Sequence, residues 1–127
     1  MKNITVAFFL SGTLGMAFCL HAADWPAWGR NQSRNMVSYE TDIVTDFDPG
    51  QILNDESVDL NTSENIKWVA KLGSQAYGNV TIGEGKVMVG TNNESPRDSL
   101  KQGDRGVVMC FEEQTGEFLW QLVIPKL

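Results

Sequence analysis

The sequence predicts an all-β fold in which four antiparallel strands form one unit behind an extended N-terminal arm. The run 117–124 carries apolar residues at a period of two, the spacing of one face of a strand. Thr115-Gly116 stands just before this run, and Gly116 can take the positive φ of a tight turn. After residue 23, no stretch predicts a helix of three turns. The apolar residues predicted to share one face are Phe118, Trp120, Leu122 and Ile124.

The remaining elements are taken in chain order. Residues 24–65 lack periodicity and are rich in turn-forming residues, which predicts an arm with short turns. In the run 66–72, apolar residues alternate with Lys67, Val69 and Lys71, as in a half-buried strand. A Gly-Glu-Gly turn at 83–85 joins the runs 80–82 and 86–91. The long polar stretch 92–105 separates these two runs from the last two, 106–112 and 117–124. The runs that have the pattern of a strand, from which the four-stranded unit is predicted to form, are residues 66–72, 80–82, 86–91, 106–112 and 117–124.

The first 23 residues have the pattern of a secretory signal peptide. Lys2 precedes an apolar run over residues 6–20, and the small residues Ala22 and Ala23 follow. We therefore expect cleavage after Ala22 or Ala23 and a secreted or periplasmic location. An uncleaved membrane anchor is the alternative, although the run is shorter than the roughly 20 residues of a spanning helix.

Composition limits the chemistry that the exported part can perform. The single His, His21, leaves with the predicted signal, and Cys110 is then the one remaining Cys. A Cys–His zinc site and a His-dependent nucleophile are excluded for these residues. We expect no catalytic residue and no metal ligand here. The formal net charge of −6 argues against nucleic acid and anionic membranes as partners.

The stretch 110–120 resembles a known motif, the tryptophan-docking repeat of quinoprotein-type (PQQ-like) β-propellers. Thr115, Gly116 and Trp120 match that motif, whereas Cys110 and Glu112 stand where the family usually has Ala and Asp. The resemblance covers about residues 66–124, and Trp68 resembles the Trp of the strand that opens a blade. It implies that residues 66–127 form a first blade, which follows the predicted signal peptide at 1–23 and the predicted N-terminal arm at 24–65. A propeller needs several such blades, so the expectation is an N-terminal piece of a longer protein whose other blades are its first partners.

Two functions are implied by this resemblance. One is an exported binding or scaffolding module, as in the family's non-enzymatic barrel-assembly lipoprotein. The alternative is an alcohol or sugar oxidoreductase that uses pyrroloquinoline quinone and calcium, with most of its site outside these residues. The adjacent Cys pair of quinoprotein alcohol dehydrogenases has no counterpart here, which favours the first function. A cofactor in this chain itself is not expected.

The polar stretch 92–105 is the candidate ligand loop. Its amide, carboxylate and guanidinium groups could orient a protein or a small polar ligand. The alternative is a solvated insertion without a ligand. The candidate residues are Asn92, Asn93, Glu94, Arg97, Asp98 and Arg105.

Overall fold

The computed structural model describes residues 23–126, so the predicted signal peptide lies outside the described residues except for Ala23. The described part is all-β, as predicted, with one 3₁₀ turn at Leu60–Thr62 and no α-helix. No helix within residues 23–126 is long and apolar enough to cross a membrane. The strands are β1 (Gln51–Ile52), β2 (Val58–Asp59), β3 (Thr81–Gly83), β4 (Lys86–Asn92), β5 (Arg105–Glu112) and β6 (Phe118–Pro125).

Strands β3 to β6 form a four-stranded antiparallel sheet in simple sequential order. The turn between β3 and β4 has positive φ at both Glu84 and Gly85, at 52° and 71°. Positive φ at both central residues is the type I′ geometry, whose twist matches that of the flanking strands. The predicted hairpin around residues 83–85 is therefore confirmed.

One face of the sheet holds the hydrophobic core, and we call it the docked face. Its buried side chains come from β4 and β5, and half-buried residues of the segment 66–72 pack over them. Alternation puts every second residue of these strands on this face, which explains the valine-rich pattern. The buried residues of the docked face are Val87, Val89, Val107, Met109 and Phe111.

The predicted strand at 66–72 is wrong as a hydrogen-bonded element. Its alternation is correct, since Trp68, Ala70 and Leu72 are half-buried while Lys67 and Lys71 are exposed. Its backbone, however, pairs with no strand that the structure describes. Alternation reports which side chains meet the core, whereas strand pairing also requires a neighbouring backbone.

The predicted common face of β6 is wrong for one residue. Phe118 pairs with Phe111, whereas Trp120 pairs with Cys110, so Leu119 is the extra residue of a β-bulge. The bulge places Phe118 on the docked face, where its ring lies 5.9 Å from that of Phe111. Trp120 and the residues that alternate with it lie on the opposite face.

The arm is attached to the sheet at its beginning. Trp25 exchanges two backbone hydrogen bonds with Ile82, at 2.8 and 3.0 Å, along the edge of β3. Farther on, β1 and β2 form a two-stranded hairpin. Much of the arm is exposed, including Trp28 at 65% and Tyr39 at 86%.

Candidate functional site

The turn between β5 and β6 is closed by its own backbone and by two side chains. The Gly116 N–H donates to the Glu112 carbonyl at 2.9 Å, and the Glu112 N–H donates to the Glu117 carbonyl at 2.8 Å. The Glu112 carboxylate accepts from the Thr115 N–H, and the Thr115 hydroxyl accepts from the Glu117 N–H at 3.2 Å. With φ at 73°, Gly116 takes the left-handed conformation that the sequence predicted for it.

The carboxylate of Glu112 is stabilised in its charged form. The hydrogen bond with Thr115 is the main reason that the pKa of Glu112 lies below its ordinary value, and the backbone of Gln114 adds to it. The positive charge of Lys67 acts in the same direction. Glu112 therefore fixes the turn more firmly when it is ionised.

Trp68 docks on this turn. Its indole N–H donates to the Glu113 carbonyl at 2.8 Å. Its ring lies directly against Gly116, because a Cβ added there would stand only 2.5 Å from Trp68 Cδ2. The Phe111 ring completes the contact, with a centroid distance of 6.1 Å. The glycine is thus required both by the turn and by the ring that lies on it.

Trp120 is the third residue of β6, as Trp68 is the third residue of the segment 66–72. Unlike Trp68, however, Trp120 docks on no turn among residues 23–126. It is 44% exposed. Leu122 and Ile124 lie beside it on the same face and are 55% and 49% exposed. Strand pairing brings the Trp120 position next to Cys110, a buried free thiol. We call this side of the sheet the open face, and its apolar residues are Met88, Val108, Cys110, Trp120, Leu122 and Ile124.

Most side chains of the candidate ligand loop are engaged within the protein. Asn93 is 7% exposed, and its amide donates to the carbonyls of Lys101 at 2.7 Å and Gly103 at 3.1 Å. The Asp98 carboxylate accepts from the Leu100 N–H at 2.9 Å. These contacts close the loop on itself.

The ends of the predicted loop belong to strands. Asn92 is the last residue of β4, and its amide donates to Ser74 Oγ at 3.1 Å. Arg105 is the first residue of β5, and its Nε donates to the Gln102 carbonyl at 2.9 Å. The loop itself is therefore residues 93–104.

Arg97 reaches away from the loop to the docked face. Its guanidinium lies 4.6 Å from the centre of the Phe118 ring and 5.7 Å from that of Phe111. It also donates to the Lys71 carbonyl at 3.0 Å. The cation–π contacts tie the loop to the docked face, and the hydrogen bond to the Lys71 carbonyl ties it to the segment 66–72.

Three of the six candidate loop residues share one surface cavity of about 270 Å³: Asn92, Asn93 and Glu94. Arg97 and Arg105 line other depressions. The structure therefore does not gather the six into one site. Within residues 23–126 no group of three His, Cys, Asp or Glu side chains could hold a metal ion.

Sequence reasoning identified Trp68, Thr115, Gly116 and Trp120, but missed what Trp68 and Arg97 contact. The signal for Trp68 was present, since a turn glycine leaves room for close approach and a large aromatic ring gains from burial. No local signal pointed to Arg97, which reaches a strand face from a loop. Comparison of the chain with protein-family models, curated proteins and solved structures finds no match.

Proposed function

We propose that this chain is an exported binding or scaffolding module, built as one four-stranded unit of a PQQ-like β-propeller repeat. In this proposal the open face is covered by a second sheet of the same kind. Trp120 would then dock on a turn of that second sheet, as Trp68 docks on the turn 112–116. The observation that carries the proposal is the contrast between the seated Trp68 and the exposed Trp120.

A further feature of the open face supports a sheet as its occupant. Trp120, Leu122 and Ile124 follow one another at strand spacing, so together they form a flat apolar stripe. Full burial of such a side chain contributes about 1.5–3 kcal/mol, so leaving three of them about half exposed forgoes part of that stabilisation. Contiguous exposed apolar surface of this kind marks an interaction surface.

A charge placed on the open face tests this proposal. We expect the chain to associate at micromolar concentration and Leu122→Glu to weaken the association about 100-fold or more, because an unpaired buried carboxylate costs several kcal/mol. Sedimentation velocity over a concentration series measures this. Leu100→Glu is the matched control, since Leu100 is 91% exposed in the loop and should leave association unchanged.

Two results would count against the proposal: a chain that stays monomeric at all concentrations, or equal association of the two Glu variants.

The same protein preparation distinguishes the binding module from the oxidoreductase alternative. Pyrroloquinoline quinone and calcium would be added, and dye-linked oxidation of an alcohol and of glucose would be followed. The binding module predicts no turnover above a control without protein, whereas turnover would favour the enzyme.

A further inference from the structure

Arg97 is a cation without an acidic partner in a chain where acidic residues outnumber basic ones. Asp and Glu number 16 against 10 Lys and Arg. Among residues 23–126 the ion pairs are formed by Lys71, Lys101 and Lys126, and none is formed by Arg97. Of the donors of its guanidinium, only Nη2 makes a hydrogen bond within these residues, to the Lys71 carbonyl. The other N–H groups are therefore available to a ligand.

Contacts on two sides hold the Arg97 guanidinium in position. Its central carbon lies 4.6 Å from the centre of the Phe118 ring, and Nη2 donates to the Lys71 carbonyl at 3.0 Å. Pro96 precedes it, and a proline fixes its own φ and keeps the residue before it, here Ser95, out of the helical region. A long side chain that is already ordered loses less entropy when a ligand binds. Arg97 is therefore preorganised for binding.

A surface depression of about 380 Å³ lies beside this guanidinium. Its walls are Lys71, Ser95, Pro96 and Arg97, so the described residues present an ammonium, a hydroxyl and a guanidinium to it, and no carboxylate. The N–H groups of a fixed guanidinium match the spacing of the oxygens of a carboxylate or a phosphate, and an ammonium adds a point charge. The composition of the walls therefore favours an oxyanion.

Glu56 is the group with which such an oxyanion would compete. It lies in the turn between β1 and β2, and its carboxylate is 2.8 Å from Lys71 Nζ. The hydrogen bond from Lys71 is the main reason that the pKa of Glu56 lies below its ordinary value. The two side chains are 56% and 78% exposed, and ion pairs in water are weak, so Lys71 can turn toward a ligand. Glu56 itself lines the adjacent depression, which shares Lys71 and Ser95 with this one.

We infer that Lys71, Ser95 and Arg97 form a binding site for the carboxylate or phosphate group of a small ligand. Arg97 supplies fixed donors, the Ser95 hydroxyl donates one further hydrogen bond, and Lys71 adds its charge when it leaves Glu56. The inference goes beyond the proposed function, because it gives the module a ligand of defined chemistry. Arg97 lies over the docked face, so the site is distinct from the open face and does not depend on what covers that face.

Titration with two small anions tests the inference. Inorganic phosphate and citrate are the probes, added separately to the 127-residue chain at pH 7 with the ionic strength held constant by chloride. Proton–nitrogen NMR follows the Nε–Hε signal of Arg97, which is assigned by its loss in Arg97→Lys. We expect this signal to shift saturably, with one anion bound per chain and a dissociation constant of about 1 mM from a few charge-assisted hydrogen bonds. The anion that binds more tightly identifies which of the two groups the ligand carries.

Two lysine variants test whether the anion binds in the depression. Lys71→Gln removes the ammonium but leaves the stacked Arg97 in place, so we expect the dissociation constant to rise about tenfold. Lys101→Gln is the matched control, since Lys101 is an exposed cation of the same loop that pairs with Asp98 at 3.7 Å and does not line the depression. We expect it to change the dissociation constant by less than about twofold.

Glu56→Gln removes the competing carboxylate and should tighten binding by about two- to fivefold, the range expected for an exposed ion pair. Glu84→Gln changes the net charge equally at the turn between β3 and β4, at the opposite end of β4 from the loop, and should have less effect.

The inference would be overturned if neither anion shifted the Arg97 signal saturably, if the two lysine variants weakened binding equally, or if the two glutamate variants had equal effects. Failure of the proposed function is read separately, from the association of the Leu122→Glu and Leu100→Glu variants.

Discussion

At Gly116, backbone conformation and side-chain packing impose the same choice of residue. The positive φ closes the turn between β5 and β6, and the missing Cβ leaves room for the Trp68 ring. Either requirement alone would favour glycine, and together they exclude other residues. The seat of Trp68 is therefore formed by backbone geometry as much as by apolar contact.

Two glycine substitutions separate these requirements. Gly85→Ala meets a positive φ of 71° with nothing within 4 Å of the added Cβ, so it should lower the free energy of unfolding by about 1–2 kcal/mol. Gly116→Ala has nearly the same φ but places its Cβ against the Trp68 ring, so the loss should be at least twice as large. Urea unfolding of the two variants measures the difference. Equal losses would mean that the ring does not lie on Gly116.

Glu112 gives the turn a dependence on pH. Its pKa is lowered in the folded chain, chiefly by the hydrogen bond with Thr115, so its contribution is fully present above the unfolded-state pKa of about 4.3. That contribution is lost as the pH falls through the lower folded-state value. Glu112→Gln removes the titration but keeps a side-chain acceptor.

We expect the unfolding midpoint of the parent chain to exceed that of Glu112→Gln at pH 7 and the gap to close as the pH falls toward 3. Urea unfolding at a series of pH values measures the gap. A gap that stays constant, or widens on acidification, would contradict the role given to the carboxylate.

Some residue-level features could be predicted from the sequence and others could not. Thr115 and Gly116 announce a turn by their types alone, because few residues suit its backbone geometry. The stacking of Arg97 on Phe118 depends on the path of a polar loop and on a bulge at Leu119, neither of which has a signature in the alternating pattern. That bulge is also why the predicted common face of β6 failed at Phe118.

At the scale of elements, the two hairpins of the sheet follow from local signals, since turns and alternation are both encoded nearby. The segment 66–72 shows the limit of such signals. Its alternation correctly predicted which side chains meet the sheet, but pairing is a property of two backbones. The loop 93–104 shows another limit, because polar composition cannot distinguish a ligand site from a loop that bonds to itself.

Asn93 tests whether the loop is primarily structural. Its buried amide bonds two loop carbonyls, so Asn93→Ala should lower the free energy of unfolding by about 1–3 kcal/mol. The adjacent Glu94→Ala, at an exposed position, should change it by less than about 0.5 kcal/mol. Thermal or urea unfolding of both variants is the measurement. A neutral Asn93→Ala would restore the view of this loop as a free ligand-binding element.

At the scale of the whole molecule, the sheet has one apolar face that residues 23–126 cover and one that they leave exposed. The segment 66–72 covers much of the docked face, while Trp120, Leu122 and Ile124 leave the open face apolar and accessible. A sheet with two apolar faces is typical of a unit that stacks between neighbours. We propose that the open face is covered in the working protein and that Trp120 docks there as Trp68 docks on the turn 112–116.

Fluorine NMR of the protein, labelled with 5-fluorotryptophan, measures the exposure of the Trp120 ring directly. The four tryptophans give four signals, which single Trp→Phe variants assign. A soluble gadolinium chelate then reports the exposure of each ring, and Trp28, at 65% exposed, is the internal reference for an open ring. We expect Trp120 to be protected from the chelate to the same degree as Trp68, whereas broadening of Trp120 as strong as that of Trp28 would rule out a covered open face.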